Sequence, residues 1–131
     1  MKATRILLMM AIVAMIFFVE GCKKDDDPTP AEQLVGSWKE VSFVATGCTD
    51  SNDNESSNCT KCDTMVATST TLTFPGEPPY PYTANGNTLT VTVGTQTFTA
   101  TIAITGTTLT LTIQNTPADG GCKTVTTFNK V

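Results

Sequence analysis

An all-β fold, a small antiparallel barrel whose strands run up and down in chain order, is what this sequence predicts from residue 34 onward. Three observations carry the expectation. Apolar residues alternate with threonine at a strict period of two: Leu89, Val91 and Val93 against Thr88, Thr90 and Thr92; Phe98, Ala100, Ile102 and Ile104 against Thr97, Thr99 and Thr101; Leu109, Leu111 and Ile113 against Thr108, Thr110 and Thr112. Such alternation describes strands with one face buried and one in water. The turns between them are short, at Asn85-Gly86, Gly94-Thr95 and Thr105-Gly106, which favours hairpins over the long crossovers of a Greek-key sandwich. Finally, four cysteines follow residue 22, namely Cys48, Cys59, Cys62 and Cys122, an even number that in an exported chain reads as two disulfides.

Export is written at the N-terminus. Lys2 and Arg5 precede an uncharged apolar run from Ile6 to Val19, the layout of a secretory signal peptide. The run falls short of the roughly 20 apolar residues needed to span a hydrocarbon core. It ends in Val19-Glu20-Gly21-Cys22, which resembles a bacterial lipobox, with Glu20 departing from the small residue usual at its position. The resemblance implies cleavage after Gly21 and acylation of Cys22, so residues 1–21 are a lipoprotein signal peptide. Several acyl chains, at about 0.8 kcal/mol per buried methylene, would hold the protein to a membrane.

Residues 22–33 then form a tether. Lys23, Lys24, Asp25, Asp26 and Asp27 are a charged block expected to stay solvated; the run also resembles the surface-export signal of Bacteroidota lipoproteins, which implies the bacterial outer membrane as location. Pro28-Thr29-Pro30 stiffens the spacer. Ala31 to Val35 suits a single helical turn. Lys39 to Thr46 reads as the first strand, but Val41, Phe43 and Ala45 share one parity while Trp38 and Val44 share the other; a β-bulge or two-sided cover near its start accounts for that. Gly47 to Lys61 is expected as a polar loop holding Cys48 and Cys59, with Cys62 directly after it. Leu72 and Phe74 alternate with threonine until Pro75-Gly76-Glu77-Pro78-Pro79 breaks the strand. After the three hairpin strands, Pro117 to Gly121 is a loop and Lys123 to Lys130 the last strand.

The pairing of the cysteines is open to three arrangements, but in each of them Cys122 joins a residue between 48 and 62. Each bridge is expected to stabilise by about 2–4 kcal/mol. A zinc site is disfavoured because the chain has no histidine and the cysteine spacings are irregular. Cys59-Thr60-Lys61-Cys62 lacks the helix of a thioredoxin-like redox pair.

With the strands in place, Gly36-Ser37-Trp38 gains meaning. A Gly-x-Trp at the start of a small meander barrel resembles the lipocalins, and residues 34–131 look like the lipocalin-like domains of many Bacteroidota lipoproteins. The resemblance implies that Gly36 and Trp38 form the base of the barrel, with Lys130 as the counterpart of the basic side chain that covers the tryptophan. Asp63-Thr64-Met65 also resembles the O-glycosylation tripeptide of such envelope proteins.

Several functions are disfavoured. The chain is acidic, with net charge −4, and loss of Lys2, Arg5 and Glu20 with the leader makes it one unit more negative, so it carries no footprint for nucleic acid. Catalysis is not expected: histidine is missing, no hydroxyl has an evident activating base, and apart from Glu40 the carboxylates of the domain fall in loops. No metal or cofactor site is recognisable. Two functions remain. In the first, the barrel takes a small apolar ligand, lined by Leu89, Val91, Phe98, Ile102, Leu109 and Leu111, since an eight-stranded barrel is just wide enough either to fill itself or to hold one small ligand. In the alternative, a filled barrel is a non-catalytic structural or interaction module that presents its loops, including Tyr80 and Tyr82, to a protein or glycan.

Overall fold

The computed structural model describes residues 27–131. The leader and the anchor and export residues Cys22, Lys23, Lys24, Asp25 and Asp26 lie outside the described residues; Asp27 is exposed. Among the described residues no helix is long and apolar enough to cross a membrane.

A short helix, α1 (Pro30–Leu34), comes first. Proline suits its first turn because the missing N–H would have no partner there. Thr29 caps it: the Thr29 hydroxyl accepts from the Glu32 N–H at 3.3 Å, and Glu32 accepts in return from the Thr29 N–H at 2.8 Å. These bonds from Thr29, the backbone one foremost, hold the Glu32 carboxyl below its usual pKa. Five residues cannot sustain a helix alone; fully buried Leu34 anchors this one.

Nine strands follow: β1 (Gly36–Thr46), β2 (Glu55–Asn58), β3 (Thr64–Ala67), β4 (Thr71–Thr73), β5 (Tyr80–Asn85), β6 (Thr88–Val93), β7 (Gln96–Thr105), β8 (Thr108–Gln114) and β9 (Lys123–Lys130). Each of β3 to β8 pairs antiparallel with the next, β3 pairs with β1, and β9 returns to β1. The result is a closed eight-strand antiparallel barrel of lipocalin-like form, the expected all-β up-and-down meander. Closure removes the exposed edges that a small open sheet would leave.

The irregular parity of β1 is a bulge. Glu40 pairs with Phe128 and Ser42 with Thr127, which leaves Val41 as an extra residue. The insertion lets Trp38 on one parity and Ala45 on the other both be buried. Residues 47–61 are not wholly loop: β2 pairs with Ser42 to Ala45 of β1, end to end with β3 on the same edge. Its four side chains are all exposed, so no apolar pattern announced it. Gly36 also belongs to β1 rather than preceding it.

The three tight hairpins carry glycine first, as Gly86-Asn87, Gly94-Thr95 and Gly106-Thr107, with φ of +59°, +62° and +59°. Only glycine takes that backbone cheaply. Asn85 is therefore the last residue of β5, one position off the expected Asn-Gly turn.

Candidate functional site

The barrel has one filled end and one open end. At the filled end Leu34, Trp38, Met65, Ala67, Leu72, Tyr82, Leu89, Ala100, Ile102, Leu109 and Phe128 form a single buried cluster. Trp38 is its centre. The indole Nε1–H donates to the Leu34 carbonyl at 2.6 Å, which satisfies a carbonyl left without a partner at the end of α1. Lys130, opposite Trp38 in the β1–β9 ladder, sets its Nζ 5.2 Å from the centroid of the ring, within cation–π range. Gly36 makes room for it: a Cβ there would lie 3.0 Å from Lys130 Cε, and the residue has φ +140°. Gly36, Trp38 and Lys130 thus meet at the filled end of the barrel.

The expected ligand-lining set divides between the two ends. Leu89, Ile102 and Leu109 are fully buried in the cluster and fill space rather than border it. Val91 and Leu111 are partly buried against its upper edge. Phe98 departs from expectation: it has the inward parity, opposite Val91, yet remains 43% exposed. The cause is a gap in the wall. β7 pairs with β6 over Gln96 to Thr101 but with β8 only over Thr101 to Thr105. Above Thr101 the β7–β8 ladder stops, although β8 continues to Gln114 along β9.

A groove of about 580 Å³ occupies this seam. One wall is Gln96 to Thr99, the other Ile113 to Thr116, and Asp119 closes the rim. That volume lies within the usual range for small-molecule sites, about 300–1,000 Å³. Phe98 and Ile113 supply its apolar surface. Gln114 is held by its own loop, its Nε2 donating to the Gly121 carbonyl at 3.0 Å and that of Asn115 at 3.2 Å. Asp119 accepts from the Thr116 hydroxyl. Of these residues, Phe98 stood in the expected lining set and Ile113 among the inward residues. The rest carry no sequence signal, because the seam depends on where the β7–β8 ladder stops, and no residue pattern marks that point.

Disulfide Cys48–Cys122 fixes the rim, and Cys59–Cys62 lies beside Val41, midway along β1. The first joins the loop after β1 to the start of β9, as the required partnership of Cys122 demanded; the second closes the β2–β3 turn. Nearby, Gly121 packs under Thr49, and the Thr49 N–H donates to the Gly120 carbonyl at 2.8 Å. On the proline-rich loop the Tyr80 hydroxyl donates to Glu77 at 2.8 Å; that bond, with a little burial and the nearby charge, raises the phenol's pKa. Tyr82 instead points into the core, its hydroxyl donating to the Thr68 carbonyl at 2.6 Å. Thr64 is half-buried in β3, beside fully buried Met65. Among the described residues no group of three or more Cys, Asp or Glu is placed to hold a metal ion.

No protein-family model, no curated protein and no solved structure matches this chain.

Proposed function

We propose that the protein is a lipid-anchored lipoprotein of the bacterial outer membrane, whose lipocalin-like barrel binds a small apolar ligand at its open mouth. The carrying observation is Phe98, a large aromatic side chain left 43% exposed on the inward face of a strand, in a groove of about 580 Å³. A filled barrel end beneath it supplies a rigid floor. The anchor fits this arrangement. Asp27 lies three residues before α1, and α1 packs at the filled end through Leu34 and Trp38. Five residues separate Cys22 from Asp27, a reach of about 17 Å when extended. Acylated Cys22 would therefore hold the base to the membrane and turn the mouth away from it.

Two measurements on protein extracted from bacterial membranes test the reading. Mass spectrometry of the N-terminal peptide is expected to show Cys22 bearing acyl chains; a free thiol there refutes the anchor. Titration with the apolar fluorophore N-phenyl-1-naphthylamine is expected to give saturable binding that weakens at least about tenfold in Phe98→Asp, equivalent to about 1.4 kcal/mol. Equal binding by the variant refutes the mouth as the site.

A further inference from the structure

The seam offers more than apolar surface; it offers backbone. The Ile102 N–H donates to the Asn87 carbonyl at 2.7 Å, on the β6 side. Along a strand the backbone groups of successive residues point to alternate edges. Thr97 and Thr99, five and three residues earlier, therefore direct their N–H and C=O groups away from β6, into the seam. Thr101 does the same and pairs with Thr112 of β8; Thr97 and Thr99 have no partner in that ladder. They form a short free edge of strand inside a groove, with Phe98 between them on the inward face.

We propose that this edge is a strand-addition site for an extended peptide segment. The peptide's backbone pairs with Thr97 and Thr99, an apolar side chain rests on Phe98 and Ile113, and a basic side chain reaches Asp119. This proposal rests on the mouth being the binding site and extends its ligands from small apolar molecules to an extended peptide with an apolar side chain at Phe98. Main-chain bonds supply the affinity and alternate side chains the selectivity, as in other cases of β-augmentation. Charge points the same way. Among the described residues Asp119 is the one carboxylate lining the groove, and the chain as a whole is acidic, so a cationic residue is favoured and an acidic one rejected. The outer edge of β2 has no such companion features: Glu55 to Asn58 are all exposed and polar, with no aromatic residue among them.

The test uses full-length protein in detergent and a fluorescently labelled peptide, Lys-Val-Thr-Val-Thr, blocked at both ends. Two further versions carry N-methyl groups on alternate residues, one in each phase. Addition to a single edge predicts that one phase weakens binding at least tenfold while the other changes it less than threefold. Asp119→Asn is expected to weaken binding severalfold and reduce its salt dependence, and the Thr97 and Thr99 amides are expected to gain protection from hydrogen exchange. If both methylated peptides bind like the parent, strand addition is refuted. If naphthylamine binds in a Phe98-dependent way and the peptide does not bind, the ligand class is wrong and the mouth reading stands. If neither binds, the mouth reading fails, and this proposal with it.

Discussion

Replacing Trp38 by phenylalanine tests how the base of the barrel is held together. The side chain is fully buried, and its Nε1–H is the recorded partner of the Leu34 carbonyl. Phenylalanine keeps a ring but has no donor, so a buried carbonyl loses its bond, at a cost of about 1–3 kcal/mol. The missing part of the indole, on the order of 40 Å³, leaves a cavity that adds about 1 kcal/mol at about 24 cal/mol per Å³. The expected loss is about 2–4 kcal/mol in total. Urea unfolding followed by far-ultraviolet circular dichroism reads it directly, because Trp38 is the sole tryptophan and fluorescence is lost with it. With a slope of about 1–2 kcal/mol per M for a domain of this size, the midpoint should fall by at least about 1 M. Amide exchange at Gln33, whose N–H donates to the Thr29 carbonyl, should accelerate as α1 loosens. A loss below about 0.5 kcal/mol with Gln33 exchange unchanged would show that the indole bond does not hold α1 to the barrel.

The two disulfides should differ in worth. Their sequence separations of 74 and 3 residues predict losses of about 4 and about 2 kcal/mol on replacing both cysteines of a pair by serine, by loop-closure entropy; equal losses in thermal unfolding would refute that origin. Gly121→Ala places a Cβ 2.6 Å from Thr49 Oγ1 at φ +69°, whereas Gly47→Ala meets nothing within 4 Å at φ +66°. Both strain the backbone by about 1 kcal/mol or more, and thermal melting should show the larger loss for Gly121→Ala. Burial raises the Tyr82 pKa above its ordinary value of 10.0, so its contribution is fully present below pH 10 and is lost as pH rises through the raised value. Tyr82→Phe should lose about 1 kcal/mol at neutral pH and flatten the alkaline decline of stability, read as melting temperature from pH 9 to 12.

Much of the barrel was legible because its signals are local. Period-two alternation places β6, β7 and β8, glycine marks their turns, and the broken parity around Trp38 and Phe43 is the trace of the bulge at Val41. β2 was hidden for a physical reason. Glu55-Ser56-Ser57-Asn58 buries nothing, and pairing there is supported from outside the segment: Cys48–Cys122 and Cys59–Cys62 flank it, and the Cys59 N–H donates to the Val41 carbonyl at 2.9 Å. Disulfide-restrained backbone leaves no mark in hydropathy. The mouth was hidden differently. Parity assigns Phe98 its face correctly, but burial on that face requires β8 paired alongside, and that ladder ends at Thr101 and Thr112 while β8 goes on with β9.

The uneven use of β7 ties the two ends of the molecule together. Its first half, from Gln96, has β6 as its neighbour; its second half, to Thr105, has β8. The strand thus crosses from one wall of the barrel to the next and leaves a stretch of unpaired edge at each end. Unpaired strand edge invites pairing with other chains unless it is covered. At the filled end cover is at hand, since α1 packs against β7 and sends Leu34 into the core. At the mouth no element of the described chain pairs with Thr97 and Thr99, while the disulfide between Cys48 and Cys122 and the Gln114 bond to Gly121 hold the loops around it in place. A free edge inside a braced rim is a different thing from a frayed end. Bracing without coverage keeps the groove open at little further entropic cost to a ligand that enters it, and that is the physical ground for placing binding at Phe98 rather than in the filled interior beneath it.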